Sequence, residues 1–213
     1  RPCTIAIAAA IQQRYGIPVV PHIICSGATI EDIEYELIDL QFLGISNVLL
    51  LRGDKAKEDS RFKPTKGGHE HTTDLIRQVV KFNDGIFADG TPIKNREESF
   101  DFGVACYPEK HEEAPNIEQD IKHLVEKQEL GAEYAVTQLF FDNHKFYDFV
   151  AMARKAGVTI PIIPGIKPFA KMSQLTIVPK TFHCDIPQEL ASLALRCKSD
   201  DEAKQLGIEW ATR

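Results

Sequence analysis

Short apolar runs alternate with longer amphipathic stretches along the chain, and this alternation predicts its elements. The segment Asn47–Leu51 contains four consecutive apolar residues and is bounded by Gly44 and Gly53. A run of this length is too short for a helix and is typical of a strand that is buried in a parallel sheet. The strands predicted in this way are residues 17–25, 47–54, 102–107, 134–141 and 159–166.

Between these strands, apolar residues recur every three or four positions, which predicts amphipathic helices. Capping residues mark their ends: Thr29 and Asn116 stand where two helices begin, and Gly44 and Gly131 stand where they end. The predicted helices are residues 4–15, 29–44, 71–82, 116–131, 144–156, a shorter one within 172–182, and most of 186–212 with a second helix from Ser199, while 55–70 is predicted as a loop and 83–98 as a surface hairpin.

Strands that alternate with helices every 30 residues or so, roughly the length of a βαβ unit, predict a parallel sheet. Both a doubly wound sheet and a (β/α)8 barrel fit. A doubly wound sheet binds ligands at one switch point, whereas a barrel collects all strand ends into one mouth. Polar side chains end every predicted strand, which favours the barrel. These side chains are His22, Arg52, Asp54, Tyr107, Glu109, Gln138 and Lys167.

The length limits how much of a barrel the chain can form. A whole (β/α)8 barrel has about 250 residues, and this chain has 213 residues with five predicted strands. We therefore predict an α/β protein with a (β/α)8 TIM-type barrel that is incomplete in this chain. Residues 1–213 are predicted to form one partial catalytic barrel domain.

Charge and cysteine content narrow the class of protein. The net charge of −6 argues against a nucleic-acid partner, and no apolar run approaches the ~20 residues that cross a bilayer. The five cysteines are odd in number and widely spaced, with no CxxC pair. We therefore expect free thiols in a reducing cytoplasm. We also expect no metal site.

The first candidate for chemistry is the turn Arg52-Gly53-Asp54 at the end of the second strand. Arginine offers a planar fork to a phosphate or a ring edge. Glycine allows a ligand to approach the backbone closely, and the aspartate places an anion beside that ligand. The alternative is an ordinary strand-end turn with a surface ion pair.

A second candidate follows the third strand, where Tyr107 can pack on a flat ring and His111 can donate to a phosphate. On the next helix, Asp120, His123 and Lys127 are spaced so that they lie on one strip. This strip is either a solvated polar edge or a surface that holds a sugar and a pyrophosphate.

Two further polar residues interrupt apolar strands. Gln138 lies in an apolar segment, so its amide must be hydrogen-bonded by the backbone or by a ligand. His22 lies between a proline and two isoleucines, where a lone histidine is more often a hydrogen-bonded core residue than a catalytic one.

Five short motifs follow one another at the predicted strand ends: Pro21–Cys25, Leu51–Asp54, Ala105–His111, Thr137–Asp142 and Ile163–Ile166. In this order they resemble the motif series of the methylenetetrahydrofolate reductase family. The resemblance covers nearly the whole chain and is clearest from Pro21 to Gln174. A single motif of this kind is weak evidence, whereas five in order are specific.

The resemblance implies a flavin enzyme in which NADH or NADPH reduces FAD. The flavin then passes a hydride to 5,10-methylenetetrahydrofolate, which gives 5-methyltetrahydrofolate. Asp54 is implied to lie near the isoalloxazine ring as the catalytic residue that tunes its electronics, and Gln138 and Gln174 are implied to contact folate or nicotinamide. The residues implied to bind FAD are His22, Arg52, Gly53, Asp54, His71, Thr72, Tyr107, His111, Ala114, Asp120, His123 and Lys127.

The family also carries a general-acid glutamate on a first strand that these residues do not include. We therefore expect a fragment that lacks the first and last barrel strands and is inactive by itself, from a cytoplasmic and homo-oligomeric parent reductase. One alternative is a flavin- or nucleotide-binding barrel fragment without turnover. Another is a barrel aldolase or phosphate-binding isomerase, in which Lys167 would be the Schiff-base lysine.

Overall fold

The computed structural model describes residues 3–55, 58–59, 61–94 and 98–213, and in this part of the chain helices alternate with five short strands. The predicted α/β alternation is confirmed. The helices are α1 (Thr4–Tyr15), α2 (Ile30–Phe42), α3 (Thr72–Asn83), α4 (Ile117–Glu129), α5 (Asn143–Lys155), α6 (Gln174–Phe182), α7 (Gln188–Ala194) and α8 (Asp200–Ala211), and the strands are β1 (His22–Ile24), β2 (Asn47–Leu51), β3 (Asp101–Cys106), β4 (Tyr134–Thr137) and β5 (Ile162–Ile163).

The chain forms two compact units, one made of residues up to 105 together with 126–134, the other of residues 106–125 and 135–213. In the first unit, β2 pairs in parallel with β1 and with β3. In the second unit, β4 pairs in parallel with β5. That residues 1–213 act as a single domain stays a prediction.

The first unit is built around β2, whose Val48 and Leu50 are fully buried. Helix α3 packs against this strand, and α1 packs against α2. The apolar face predicted for α2 is fully buried at Ile33, Leu37 and Leu40. Burial of each such side chain contributes about 1.5–3 kcal/mol, so this core fixes the position at which β2 ends.

The second unit has its own core, to which α6, α7 and α8 contribute. Phe169 and Leu190 are almost completely buried in it. The indole N–H of Trp210 donates to the Phe141 carbonyl oxygen over 2.8 Å, which ties α8 to the segment after β4. The other buried members of this cluster are Phe141, Val178, Cys184, Ala194 and Ala203.

Four strands, β1, β2, β4 and β5, are shorter than predicted, and prolines interrupt the ladders of two of them. Residues 159–166 were expected to form a strand, but β5 comprises only Ile162–Ile163, between Pro161 and Pro164. Proline has no N–H to donate to a neighbouring strand. The same restriction applies before β1, which begins immediately after Pro21, whereas the prediction began at residue 17.

The predicted surface hairpin is present in the described part of residues 83–98. Ile86 and Pro92 form an antiparallel bridge, and the N–H of Phe87 donates to the Thr91 carbonyl oxygen over 2.9 Å. Residues 95–97 lie outside the described residues. Among the helices that the structure describes, none is long and apolar enough to cross a bilayer.

Removal of the N-cap of α2 should destabilise the chain in a pH-dependent way. The Thr29 hydroxyl accepts from the Asp32 N–H at 3.1 Å and donates to its carboxylate at 2.7 Å, and the Thr29 N–H donates to the same carboxylate. We expect Thr29→Ala to lower the free energy of unfolding by about 1 kcal/mol at pH 7, measured by urea denaturation. The matched change Thr176→Ala, at an exposed helical position, should not lower it.

The pH dependence follows from the same hydrogen bonds. The Thr29 N–H and then its hydroxyl hold the pKa of the Asp32 carboxyl below its usual value. Such a group stabilises the fold above its unfolded-state pKa of about 3.9, and this contribution disappears as pH falls through the lowered pKa. Thr29→Ala removes the hydroxyl but keeps the N–H, so the gap between this variant and the parent chain should narrow in acid by the share of the hydroxyl. A constant gap would show that the hydroxyl does not stabilise the Asp32 carboxylate.

Candidate functional site

The turn after β2 is fixed by the loop that follows β1, within the first unit. The N–H of Ser26 donates to the Arg52 carbonyl oxygen at 2.9 Å, and its hydroxyl donates to the Asp54 carbonyl oxygen at 3.2 Å. The Arg52 guanidinium lies over the Phe62 ring, 4.6 Å from its centroid. The Asp54 side chain is exposed. The Arg52 cation and the Asp54 anion thus extend from the same turn, which these hydrogen bonds hold, as the sequence predicts.

Gly53 is required at the centre of this turn. Its φ is +83°, in the left-handed region, and a Cβ atom built on it would lie 2.7 Å from the Ser26 Cβ. Any side chain would meet both a backbone penalty and a steric one. Glycine is therefore needed here because Ser26 packs against it, and whether it also admits a ligand stays a prediction.

The other predicted residues of the first unit lie at the end of β1 and the start of α3. His22 is exposed on β1, where it alternates with buried Ile23, so the core-histidine alternative is wrong. His71 precedes Thr72, the first residue of α3. The His71 N–H donates to the Asp74 carboxylate at 3.1 Å, which fixes the start of the helix.

The cysteine thiols are free, as predicted. Cys25 directly follows β1, and its burial, with a smaller effect of the Asp74 charge, raises the pKa of the thiol to about 11. In the second unit, burial and the nearby Glu109 carboxylate raise the pKa of Cys184 to about 11. Both thiols are therefore protonated at neutral pH and unsuited to nucleophilic chemistry.

In the second unit, the loop after β3 brings an aromatic ring and an imidazole together. The rings of Tyr107 and His111 lie 4.8 Å apart, edge to face. The Glu113 N–H donates to His111 Nδ1 at 3.1 Å. An accepting Nδ1 leaves the proton of the neutral imidazole on Nε2, so His111 presents an N–H donor at that atom.

Further hydrogen bonds hold this loop. The His111 N–H donates to the Asp120 carboxylate of α4, and the Ala114 N–H donates to the His111 carbonyl oxygen at 3.0 Å. The Lys110 ammonium donates to the Ala114 carbonyl oxygen at 3.0 Å. The second unit therefore brings together four residues of the predicted cofactor set: Tyr107, His111, Ala114 and Asp120.

The remaining polar residues of the α4 strip have different contacts. Gln119 Nε2 lies 3.3 Å from the ring nitrogen Nε2 of His123. The Lys127 ammonium donates to the Ala105 carbonyl oxygen at 3.0 Å, within the first unit. Lys127 and Asp120 are thus bonded to specific backbone groups, so the strip is not a merely solvated edge.

The amide oxygens of the two glutamines predicted to contact substrate accept hydrogen bonds from backbone N–H groups that are close in sequence. The Gln138 oxygen accepts from the Leu139 N–H at 2.9 Å, just after β4. The Gln174 oxygen accepts from the N–H groups of Ala170 and Lys171 at 2.6 and 3.1 Å. The NH2 group of each glutamine can then donate a hydrogen bond to a ligand.

Parallel strands that alternate with helices and carry polar groups at their carboxyl ends define an α/β protein whose candidate site lies at the strand ends. The model of the family described as methylenetetrahydrofolate reductase matches residues 1–213. The chain therefore belongs to the methylenetetrahydrofolate reductase family.

Individual relatives agree with this assignment. The chain is 31% identical over 199 residues to methylenetetrahydrofolate reductase 2 of Saccharomyces cerevisiae, which covers 92% of this chain and 31% of the yeast protein. It is also 31% identical to methylenetetrahydrofolate reductase (NADH) 1 of Arabidopsis thaliana, which covers 98% of this chain and 35% of the plant protein. The chain thus spans about a third of the length of these relatives.

A solved structure supports the fold. A protein of Clostridium thermocellum, described as binding two copies of 5-methyl-5,6,7,8-tetrahydrofolic acid, superposes with a TM-score of 0.53 at 15% identity, over 94% of this chain and 63% of the other. Together with the family, this likeness confirms the predicted class, a TIM-barrel-type α/β fold that is incomplete in this chain.

Proposed function

We propose that the protein containing this chain reduces 5,10-methylenetetrahydrofolate to 5-methyltetrahydrofolate, with FAD as cofactor and NADH or NADPH as electron donor. The observation that carries this proposal is the match of the family model to all 213 residues. Membership in this family argues against the aldolase or isomerase alternative built on Lys167.

FAD, when bound, supplies the hydride relay between nicotinamide and folate, and the chain's residues bind and orient it. In the first unit, Arg52 offers a planar fork to phosphate or ring edges, and Gly53 allows close approach to the backbone. In the second unit, Tyr107 offers a ring face and His111 an N–H donor at Nε2. The other residues proposed to contact FAD are His22, Asp54, His71, Thr72 and Lys127 in the first unit and Ala114, Asp120 and His123 in the second.

Asp54 has a distinct role in this proposal. Its carboxylate is exposed and its backbone is fixed by the Ser26 hydroxyl. The family resemblance implies that this negative charge lies beside the isoalloxazine ring when FAD is bound. Gln138 and Gln174 donate from their amide NH2 groups to folate or nicotinamide. We also propose a cytoplasmic homo-oligomer: the five free thiols suit a reducing compartment, and the Phe42 side chain on α2 is 88% exposed.

Asp54→Asn should raise the reduction potential of bound FAD by tens of millivolts. A unit charge near an exposed ring is worth about 1 kcal/mol, and its removal favours the electron-rich reduced flavin. The measurement is a potentiometric titration of the bound flavin. Asp59→Asn, in the described part of the following loop, is the matched control and should leave the potential unchanged.

The two half-reactions test the function itself. Under anaerobic conditions, NADH or NADPH should bleach the absorbance of FAD bound to the whole protein that contains this chain, and 5,10-methylenetetrahydrofolate should then restore it with formation of 5-methyltetrahydrofolate. FAD that binds but cannot be reoxidised by the folate would favour the second candidate, a flavin-binding fragment without turnover.

A further inference from the structure

A buried carboxylate joins three segments of the second unit. The Glu109 side chain, which follows β3, is 9% exposed. Its Oε2 accepts from the Lys145 ammonium of α5 at 2.7 Å and from the N–H of Asp185 at 2.9 Å. The Lys145 ammonium also pairs with the Asp185 carboxylate. One lysine thus links the loop after β3 to the connection between α6 and α7.

The contribution of this cluster to stability does not explain why it is present. A buried ion pair is often no more stabilising than well-packed apolar residues of similar volume, because both charges lose their hydration. In the described part of the chain, Glu109 Oε1 is buried without a hydrogen-bond partner, which adds a further cost. The cluster instead orients the loop, because a buried carboxylate that accepts from two donors fixes the position of its own backbone.

The backbone next to Glu109 requires such support. Lys110 has a φ of +69°, in the left-handed region that lysine rarely adopts. Residues in such conformations persist where the surrounding structure holds them. Beyond Lys110, the Glu112 carboxylate lies 3.1 Å from His183 Nε2. The left-handed residue therefore lies between two tethers, both of which lead to the connection between α6 and α7.

We propose that Glu109 and Lys145 form a positioning pair that holds the loop after β3 so that Tyr107 and His111 are oriented for FAD. This inference rests on the proposed function, because it requires that these two rings contact the flavin. Glu109 and Lys145 act through the backbone and do not contact the cofactor. Without Lys145, the buried Glu109 charge loses its counter-ion, and the loop reorganises to hydrate it.

The test uses the full chain with Lys145→Met, the charge-preserving Lys145→Arg, and Lys155→Met at the exposed end of the same helix as control. Lys145→Met should raise the Kd for FAD by about tenfold, the equivalent of 1.4 kcal/mol, whereas Lys145→Arg should restore most of the affinity. In the chain without FAD, backbone hydrogen exchange of residues 107–114 should accelerate by about tenfold in Lys145→Met, with α8 unaffected.

The outcomes separate the two proposals. A parent chain that does not bind FAD overturns the proposed cofactor and this inference with it. A parent chain that binds FAD, with equal affinity in Lys145→Met, overturns only the positioning pair, whatever the exchange rates. Weaker binding accompanied by faster exchange in α8 as well would show general destabilisation of the second unit, which also contradicts a positioning role.

Discussion

Gly207→Ala will lower the free energy of unfolding by about 2–3 kcal/mol. Gly207 lies inside α8, and a Cβ atom built on it would lie 1.7 Å from the Phe169 carbonyl oxygen and 2.5 Å from its carbonyl carbon. These are backbone atoms of the buried core and cannot rotate away. Glycine is the residue that lets α8 approach the segment around Phe169, so the helix must shift when a methyl group is added.

The predicted loss of stability is opposite in sign to the usual effect of replacing glycine by alanine in a helix. In an exposed helix interior, replacement of glycine by alanine stabilises by about 1 kcal/mol, because glycine has the poorer helix propensity. Urea denaturation followed by circular dichroism measures the difference. Lys204→Ala, at an exposed position of α8, is the matched control and should change stability by less than about 0.5 kcal/mol. A Gly207→Ala chain as stable as its parent would show that the described packing of α8 is incorrect.

Gly53→Ala is expected to damage the turn after β2, and Gly67→Ala provides its control. The two glycines have nearly the same φ, +83° and +82°, but a Cβ atom would contact Ser26 at Gly53 and nothing within 4 Å at Gly67. The left-handed backbone costs about 1–2 kcal/mol at either position. The steric contact adds to that cost at Gly53 alone, so Gly53→Ala should be the more destabilising change by about 1 kcal/mol or more.

The variants Gly53→Ala and Gly67→Ala also distinguish an effect on stability from an effect on FAD binding. Gly53→Ala should raise the Kd for FAD by about tenfold or more, because the turn that presents Arg52 and Asp54 must move by a few tenths of an ångström to an ångström, and misplacements of this size are costly at a site. Gly67→Ala should leave the Kd unchanged. Isothermal titration with FAD provides both values. Equal affinities would show that the turn does not contact the flavin.

The local parts of the site were predictable from the sequence because they depend on strand ends. Arg52, Gly53 and Asp54 follow an apolar run whose length alone indicates a buried strand. Tyr107 and His111 likewise follow a second apolar run that indicates a buried strand. The Gln138 amide oxygen has the predicted backbone partner, the Leu139 N–H, although Gln138 is only half-buried and follows β4 instead of lying within it.

Contacts that are distant in sequence were not predictable. Asp185 lies 76 positions from Glu109, and Lys145 lies 36 positions from it. Their residue types are those of any exposed helix or loop, so no periodicity or spacing distinguishes them. The hydrogen bonds from Ser26 to the turn after β2 were missed for the same reason.

Strand lengths were overestimated because apolar character was counted and hydrogen-bonding capacity was not. Residues 159–166 are largely apolar, yet Pro161 and Pro164 leave only two residues in β5. Likewise β4 ends at Thr137, after which the N–H of Leu139 bonds to a side chain and not to a neighbouring strand. The availability of backbone donors therefore limits these strands as well as their apolar character.

The most direct test of the FAD proposal is the absorbance spectrum of the purified chain after it is mixed with FAD and separated from the excess on a sizing column. The account predicts flavin bands that travel with the protein, and their loss in a folded Asp54→Ala/Tyr107→Ala double variant. A folded parent chain that elutes without flavin, or a double variant that retains as much flavin as the parent, would contradict it.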